Sequence, residues 1–172
     1  MLPLMITLVL GGIRSGKSDV AEALVQRSAR PATYIATGRA TDADMAARIA
    51  AHRERRERSR WATVEVDDPD DLADLLGRLD GPVLVDSLGT WVASFPDLDP
   101  DVERLCAALR SRESPTVLVS EEVGLGVHAA TEVGRRFADR LGTVNRTVAE
   151  VADQVLLVVA GRVLPLPEGS PW

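Results

Sequence analysis

The sequence predicts a three-layer α/β domain built on a mostly parallel sheet. Three observations carry this. Strand-like and helix-like patterns alternate along the chain. Several of the strand-like runs are continuously apolar, as strands buried on both faces must be. One strand runs directly into a glycine-rich loop and then a helix, a local unit typical of parallel α/β folds.

The elements follow in order. Ile6-Thr7-Leu8-Val9-Leu10 is a short, β-branched, apolar run and reads as a buried strand. Asp19 to Gln26 has Val20, Ala21 and Leu24 on one face, the spacing of a helix. Further strands are expected at 33–36, 63–66, 83–85, 116–119 and 155–159, with a last one at 162–164. Helical patterns lie near 42–58, 69–78, 100–112 and 131–152. Pro69, with acids on either side of it, suits a solvated helix start. Phe95 to Pro100 reads as a turn-rich loop. The chain has 172 residues, which predicts a single domain over 1–172. The Pro/Gly-rich end, 166–172, reads as a loose tail.

Composition narrows the function. The formal charge is -6 and 45% of residues are hydrophobic, as in ordinary soluble proteins. Net acidity argues against nucleic acid as a partner. No apolar run approaches membrane-spanning length. Residues 1–10 lack a charged leader region, so no signal peptide is expected. These features imply a cytoplasmic location. One cysteine, Cys106, excludes an internal disulfide framework and a Cys-based zinc site.

The loop between the first strand and helix carries the chemistry. Gly11-Gly12-Ile13-Arg14-Ser15-Gly16-Lys17-Ser18 matches the phosphate-loop pattern G-x-x-x-x-G-K-[ST]. Lys17 is the single lysine among twenty Lys and Arg residues. A compact ammonium on a flexible stem suits a β/γ-phosphate better than a planar guanidinium. Loop N–H groups and the helix N-terminus would surround the phosphates. The Ser18 hydroxyl would hold Mg²⁺. The fold is therefore expected to be that of a P-loop NTPase domain.

A second metal-side group is expected at the end of a neighbouring strand. Asp86 closes the apolar run Val83-Leu84-Val85, whereas Glu121 and Glu122 close the run from Val117. One acid could serve the metal and the other orient a nucleophile. Two histidines occur, His52 and His128. Met45, Ile49, His52 and Arg56 share one stripe of the expected helix 42–58. On spacing alone the pattern suits a partly exposed His on a basic helix face, and an apolar face that continues into His and Arg also suits a helix with one end at a polar pocket.

The chain resembles the bifunctional adenosylcobinamide kinase/adenosylcobinamide-phosphate guanylyltransferase family. The resemblance runs from Leu8 to about Leu166. It rests on the phosphate loop, Tyr34-Ile35-Ala36-Thr37, Arg48-Ile49-Ala50-Ala51-His52-Arg53, Val83 to Leu88, Glu122-Val123-Gly124-Leu125-Gly126 and Ala152 to Val155. It implies a RecA-like core and a homotrimer. It also implies two reactions. ATP or GTP phosphorylates adenosylcobinamide, and GTP then donates GMP to adenosylcobinamide phosphate. On this resemblance His52 becomes guanylylated. Nucleotide contacts fall on Gly11, Gly12, Ile13, Arg14, Ser15, Gly16, Lys17, Ser18, Ala36, Thr37, Gly38, Arg53, Glu54, Arg55, Arg56, Glu65 and Asp86. Lys17 acts beside His52 in catalysis, and Ser18 and Asp86 hold the metal. The chain departs from the family in places. Glu121 stands where Asn is frequent, and Arg146 where Gln is usual. A protein keeping one of the two activities, or a nucleotide-dependent switch, would use the same loop.

Overall fold

The computed structural model describes residues 5–28, 31–38 and 61–169. The helix expected at 42–58 lies outside the described residues. In chain order the elements are β1 (Ile6–Gly11), α1 (Lys17–Gln26), β2 (Thr33–Ala36), β3 (Ala62–Glu65), a 3-10 turn (Pro69–Asp71), α2 (Leu72–Arg78), β4 (Val83–Asp86), α3 (Leu88–Ala93), α4 (Val102–Ser111), β5 (Thr116–Glu121), α5 (Glu132–Ala149), β6 (Gln154–Val159) and β7 (Arg162–Leu166). Among the described residues the strands form one sheet, ordered β3-β2-β4-β5-β1-β6-β7. The neighbours pair in parallel except β6 and β7, which are antiparallel.

Period-two alternation sends each strand's side chains to two cores. Ile6, Leu8 and Leu10 of β1, Val83 and Val85 of β4, and Leu118 of β5 face α2–α5. There they meet Leu76, Leu88, Trp91, Leu105, Leu109, Leu141 and Val144. Val9, Leu84, Val117, Val119, Leu156 and Val158 face the other way, onto Ala21 and Val25 of α1. Both faces are buried, which is why these strands read as unbroken apolar runs.

The strand boundaries lie within a residue or two of the sequence reading. The pattern at 69–78 resolves into a 3-10 turn followed by a helix. Asp68 caps that turn by accepting a hydrogen bond from Asp70 N at 3.1 Å. The helix expected at 131–152 ends at Ala149. The short α3 was not expected from periodicity. Six residues offer too few repeats of an apolar stripe to stand out. Its start is fixed locally by a capping box between Ser87 and Thr90.

Two tethers hold the strands that position the site. The Asp153 carboxylate accepts from Met5 N at 2.9 Å and Ile6 N at 2.8 Å, anchoring the start of β1. Asn145 of α5 is buried. Its Oδ1 accepts from Ser120 Oγ at 2.6 Å, and its Nδ2 donates to Glu121 O at 3.0 Å. The C-terminal end of β5 is thereby fixed against α5.

Candidate active site

Register brings the sequence-selected residues to one edge of the sheet. Gly11 pairs with Glu121, and Ala36 pairs with both Asp86 and Glu65. The strands around them are parallel, so all these positions lie at carboxyl ends. β1 sits between β5 and β6, and the chain reaches these two neighbours on opposite sides. Such a switch point in an open α/β sheet is where ligands bind.

The loop leaving β1 is shaped around close backbone approach. A Cβ on Gly11 would lie 2.4 Å from Ser15 Oγ and 2.8 Å from the Val158 carbonyl. Gly16 has φ of +91°, a left-handed conformation, and immediately precedes α1. Glycine reaches that region without a steric penalty. The loop closes through Ser15 N donating to Gly12 O at 3.2 Å. It is tied to the β6–β7 turn by Gly161 N donating to Ser15 O at 2.8 Å. No side chain caps the start of α1. The N–H groups of a first helical turn have no intrahelical partner and attract anions.

Lys17 lies over this loop. Its Nζ is 3.4 Å from Gly12 O and 3.6 Å from Glu121 Oε1. The two side chains are 13% and 27% exposed, so the charges are partly withdrawn from water. Ser18 follows in the first turn of α1 and is half-buried. Asp86 lies at the end of β4, one strand beyond β5. Its Oδ2 accepts from the Tyr34 hydroxyl at 2.8 Å. The structure thus brings Lys17, Ser18 and Asp86 to the same edge of the sheet.

Ala36, Thr37 and Gly38 continue from β2 along that edge. The Thr37 hydroxyl is already engaged inside the fold. It donates to Ser87 O at 2.6 Å, accepts from Ser87 N at 2.9 Å and lies 2.7 Å from Thr90 Oγ1. Thr37 therefore braces the turn from β4 into α3, a role the sequence did not reveal. Glu65 ends β3, two strands from β4, which carries Asp86. His52, Arg53, Glu54, Arg55 and Arg56 lie outside the described residues. His128 is exposed, in the loop before α5.

The two acids left open by the sequence are separated by the structure. Glu121 meets Lys17, and its Oε2 accepts from Ser87 Oγ at 3.0 Å. Glu122 turns into its own loop, where Oε1 accepts from Gly124 N at 2.6 Å. Among the described residues no group of three His, Cys, Asp or Glu could hold a metal ion. Ser18 and Asp86 nevertheless fit Mg²⁺, which keeps several waters and binds through one or two protein oxygens plus substrate phosphates.

Comparison with known proteins agrees with this geometry. The family model described as cobinamide kinase / cobinamide phosphate guanyltransferase matches residues 7–166. The bifunctional adenosylcobalamin biosynthesis protein CobP of Pseudomonas aeruginosa is 39% identical, over 95% of this chain and 98% of its own. The bifunctional adenosylcobalamin biosynthesis protein CobU of Escherichia coli K12 is 37% identical, over 91% of this chain and 97% of its own. Among solved structures, the RadB recombinase superposes with a TM-score of 0.50 at 16% identity, covering 89% of this chain and 73% of its own. That likeness shows the RecA-like fold. With the family model spanning the sheet from β1 to β7, this chain belongs to the cobinamide kinase / cobinamide phosphate guanyltransferase family.

Proposed function

We infer that this chain carries both activities of its family. In the first, a nucleoside triphosphate, ATP or GTP, phosphorylates the alcohol of adenosylcobinamide. In the second, GTP gives GMP to the product, yielding adenosylcobinamide-GDP and pyrophosphate. The observation that carries the reading is the phosphate loop at the switch point, with the family's pattern continuing through the whole sheet.

The chain's own groups divide the work. Backbone N–H groups of Gly11 to Ser18 cradle the phosphates, and Lys17 offsets charge on the β- and γ-oxygens. Ser18 and Asp86 would hold Mg²⁺, which when bound neutralises charge on the phosphate oxygens. Ala36 to Gly38, Glu65 and Arg53 to Arg56 complete the nucleotide site. In GMP transfer, His52 attacks the α-phosphorus of GTP. A P–N bond forms, the bond to the bridging oxygen breaks, and pyrophosphate leaves. An oxygen of the corrinoid phosphate then attacks the same phosphorus and releases the imidazole. Two displacements let two bulky substrates use one nucleophile in turn. The arginines at 53, 55 and 56 favour the neutral imidazole needed for attack.

We place the enzyme in the cytoplasm and read it as a homotrimer. Among the described residues no helix is long and apolar enough to cross a membrane. In support of assembly, β7 leaves Val163, Leu164 and Leu166 exposed. Beside it, β6, β7 and α5 border a groove of about 1100 Å³.

The test is intact-protein mass spectrometry after incubation with GTP and Mg²⁺, wild type beside His52→Ala. An acid-labile GMP adduct on the wild type alone is expected. An adduct that persists in His52→Ala would move the nucleophile elsewhere. No adduct on either, with GTP bound and phosphate released, would leave a kinase alone or a nucleotide switch.

A further inference from the structure

The phosphorylation step needs a group to take the proton of the attacking alcohol, and Asp86 and Glu121 end the two strands, β4 and β5, that lie between β2 and β1. They are built differently. Asp86 lies on β4 with one oxygen bonded to the Tyr34 hydroxyl. Glu121 lies on β5, directly beside β1, with Oε1 3.6 Å from Lys17 Nζ. In a phosphate loop that ammonium reaches the β/γ-phosphates. A group this close to it therefore borders the terminal phosphate, where the alcohol must arrive in line with the leaving oxygen.

The Glu121 carboxylate also has a place made for it. Ser87 Oγ donates to Oε2 at 3.0 Å, and Ser87 is itself fixed by the capping box of α3. Across from it stands Gly89, where a Cβ would lie 1.9 Å from Oε2 and 2.8 Å from Cδ. Only a residue without a side chain leaves room for the carboxylate there. The Glu121 backbone is held by Asn145 Nδ2 at 3.0 Å, so the side chain leaves from a fixed point. Lys17 offsets the charge of Glu121. A triphosphate draws the ammonium to its own oxygens and leaves Oε1 without that partner, while Oε2 keeps Ser87.

We propose that Glu121, seated between Ser87 and Gly89, is the general base of the phosphorylation step. Its Oε1 accepts a hydrogen bond from the acceptor alcohol. As the alcohol oxygen forms its bond to the γ-phosphorus, the bond to the β,γ-bridging oxygen breaks. The nucleoside diphosphate departs, and the alcohol proton passes to Glu121 and then to solvent. The proposal rests on the kinase reading above.

Glu121→Gln keeps the shape and the Ser87 contact but removes the base. Phosphorylation of adenosylcobinamide should fall about 100-fold in kcat, the lower range for loss of a positioned base. Affinity for a non-transferable ATP analogue, measured by calorimetry, should stay within about threefold or tighten, since Lys17 loses a competing anion. Glu121→Asp should recover part of the rate. Gly89→Ala should copy the loss without unfolding the protein, because alanine suits a helix and the displaced group is the end of a flexible side chain. A Glu121→Gln rate within a few-fold of wild type would overturn the proposal. So would a parallel collapse of analogue affinity, which would make Glu121 a structural partner of Lys17. A wild type that acquires GMP from GTP yet never phosphorylates adenosylcobinamide would overturn the kinase reading itself, before any variant is compared.

Discussion

A methyl group on Gly11 would meet both Ser15 Oγ and the Val158 carbonyl, 2.4 and 2.8 Å away. The first contact could relax, but the second is sheet backbone and could not. Gly11→Ala should therefore cost about 1–3 kcal/mol, the usual penalty for overpacking, and denaturant unfolding would read it. Lys17→Ala acts on another property of the same loop. It removes one charge-assisted contact to phosphate, worth about 1.5–3 kcal/mol. Triphosphate affinity should drop roughly 10- to 150-fold by calorimetry, with little change in unfolding. Unchanged affinity would refute the loop assignment. Lys17 and Asp86 were legible in the sequence because each sits in a local pattern, a loop motif or an acid closing an apolar run. Glu121 was not separable from Glu122, since both close the same run. Only the pairing of β5 with β1 sets one beside Lys17 and leaves the other to its own turn.

Among the elements, α2 shows how one side chain can finish a helix. Arg112 follows α4 in sequence but reaches across to the end of α2 and the turn into β4. Its Nη1 donates to Leu79 O at 2.8 Å and to Leu76 O, its Nη2 to Gly81 O at 2.6 Å, and its Nε to Thr116 Oγ1 at 2.8 Å. Helix-end carbonyls lack intrahelical donors, and a cation there is also favoured by the helix dipole. Burial works against this by lowering the Arg112 pKa from its ordinary value, partly countered by Asp80. Arg112→Ala should lose about 2–3 kcal/mol. Arg112→Lys should recover only a fraction, because an ammonium cannot reproduce the planar fork. Urea unfolding of both variants checks this, and a wild-type midpoint for Arg112→Ala would show the contacts carry no net stability. Nothing in the sequence marks this staple, for the carbonyls it holds at the end of α2 and the turn into β4 are 31 to 36 residues away. The strands and the longer described helices were legible because their apolar periods repeat. The six-residue α3 was not, although its Ser87–Thr90 cap is the feature that seats Glu121.

At the scale of the molecule, the phosphate loop is joined to a deeply buried strand of the sheet. Leu8 and Val9 of β1 are fully buried, with β5 on one side and β6 on the other. The loop is bonded in turn to the β6–β7 turn through Gly161. The order that places β1 centrally was hidden in the sequence, because every one of its pairings is made by residues distant in the chain. Its consequence is thermodynamic. A ligand seated on the loop binds only when β1, β5 and β6 are assembled, so it stabilises the folded sheet and not a detached segment. At a hundredfold excess over Kd, such a ligand adds about 2.7 kcal/mol. For a domain of 172 residues, each kcal/mol raises Tm by roughly 2–4 °C. Saturating ATP or GTP with Mg²⁺ should thus raise the melting temperature by about 5–11 °C in a single transition. Lys17→Ala at the same nucleotide concentration should show a much smaller shift. If nucleotide moved only a minor early transition and left the main one in place, the loop would be uncoupled from the core strands that form it.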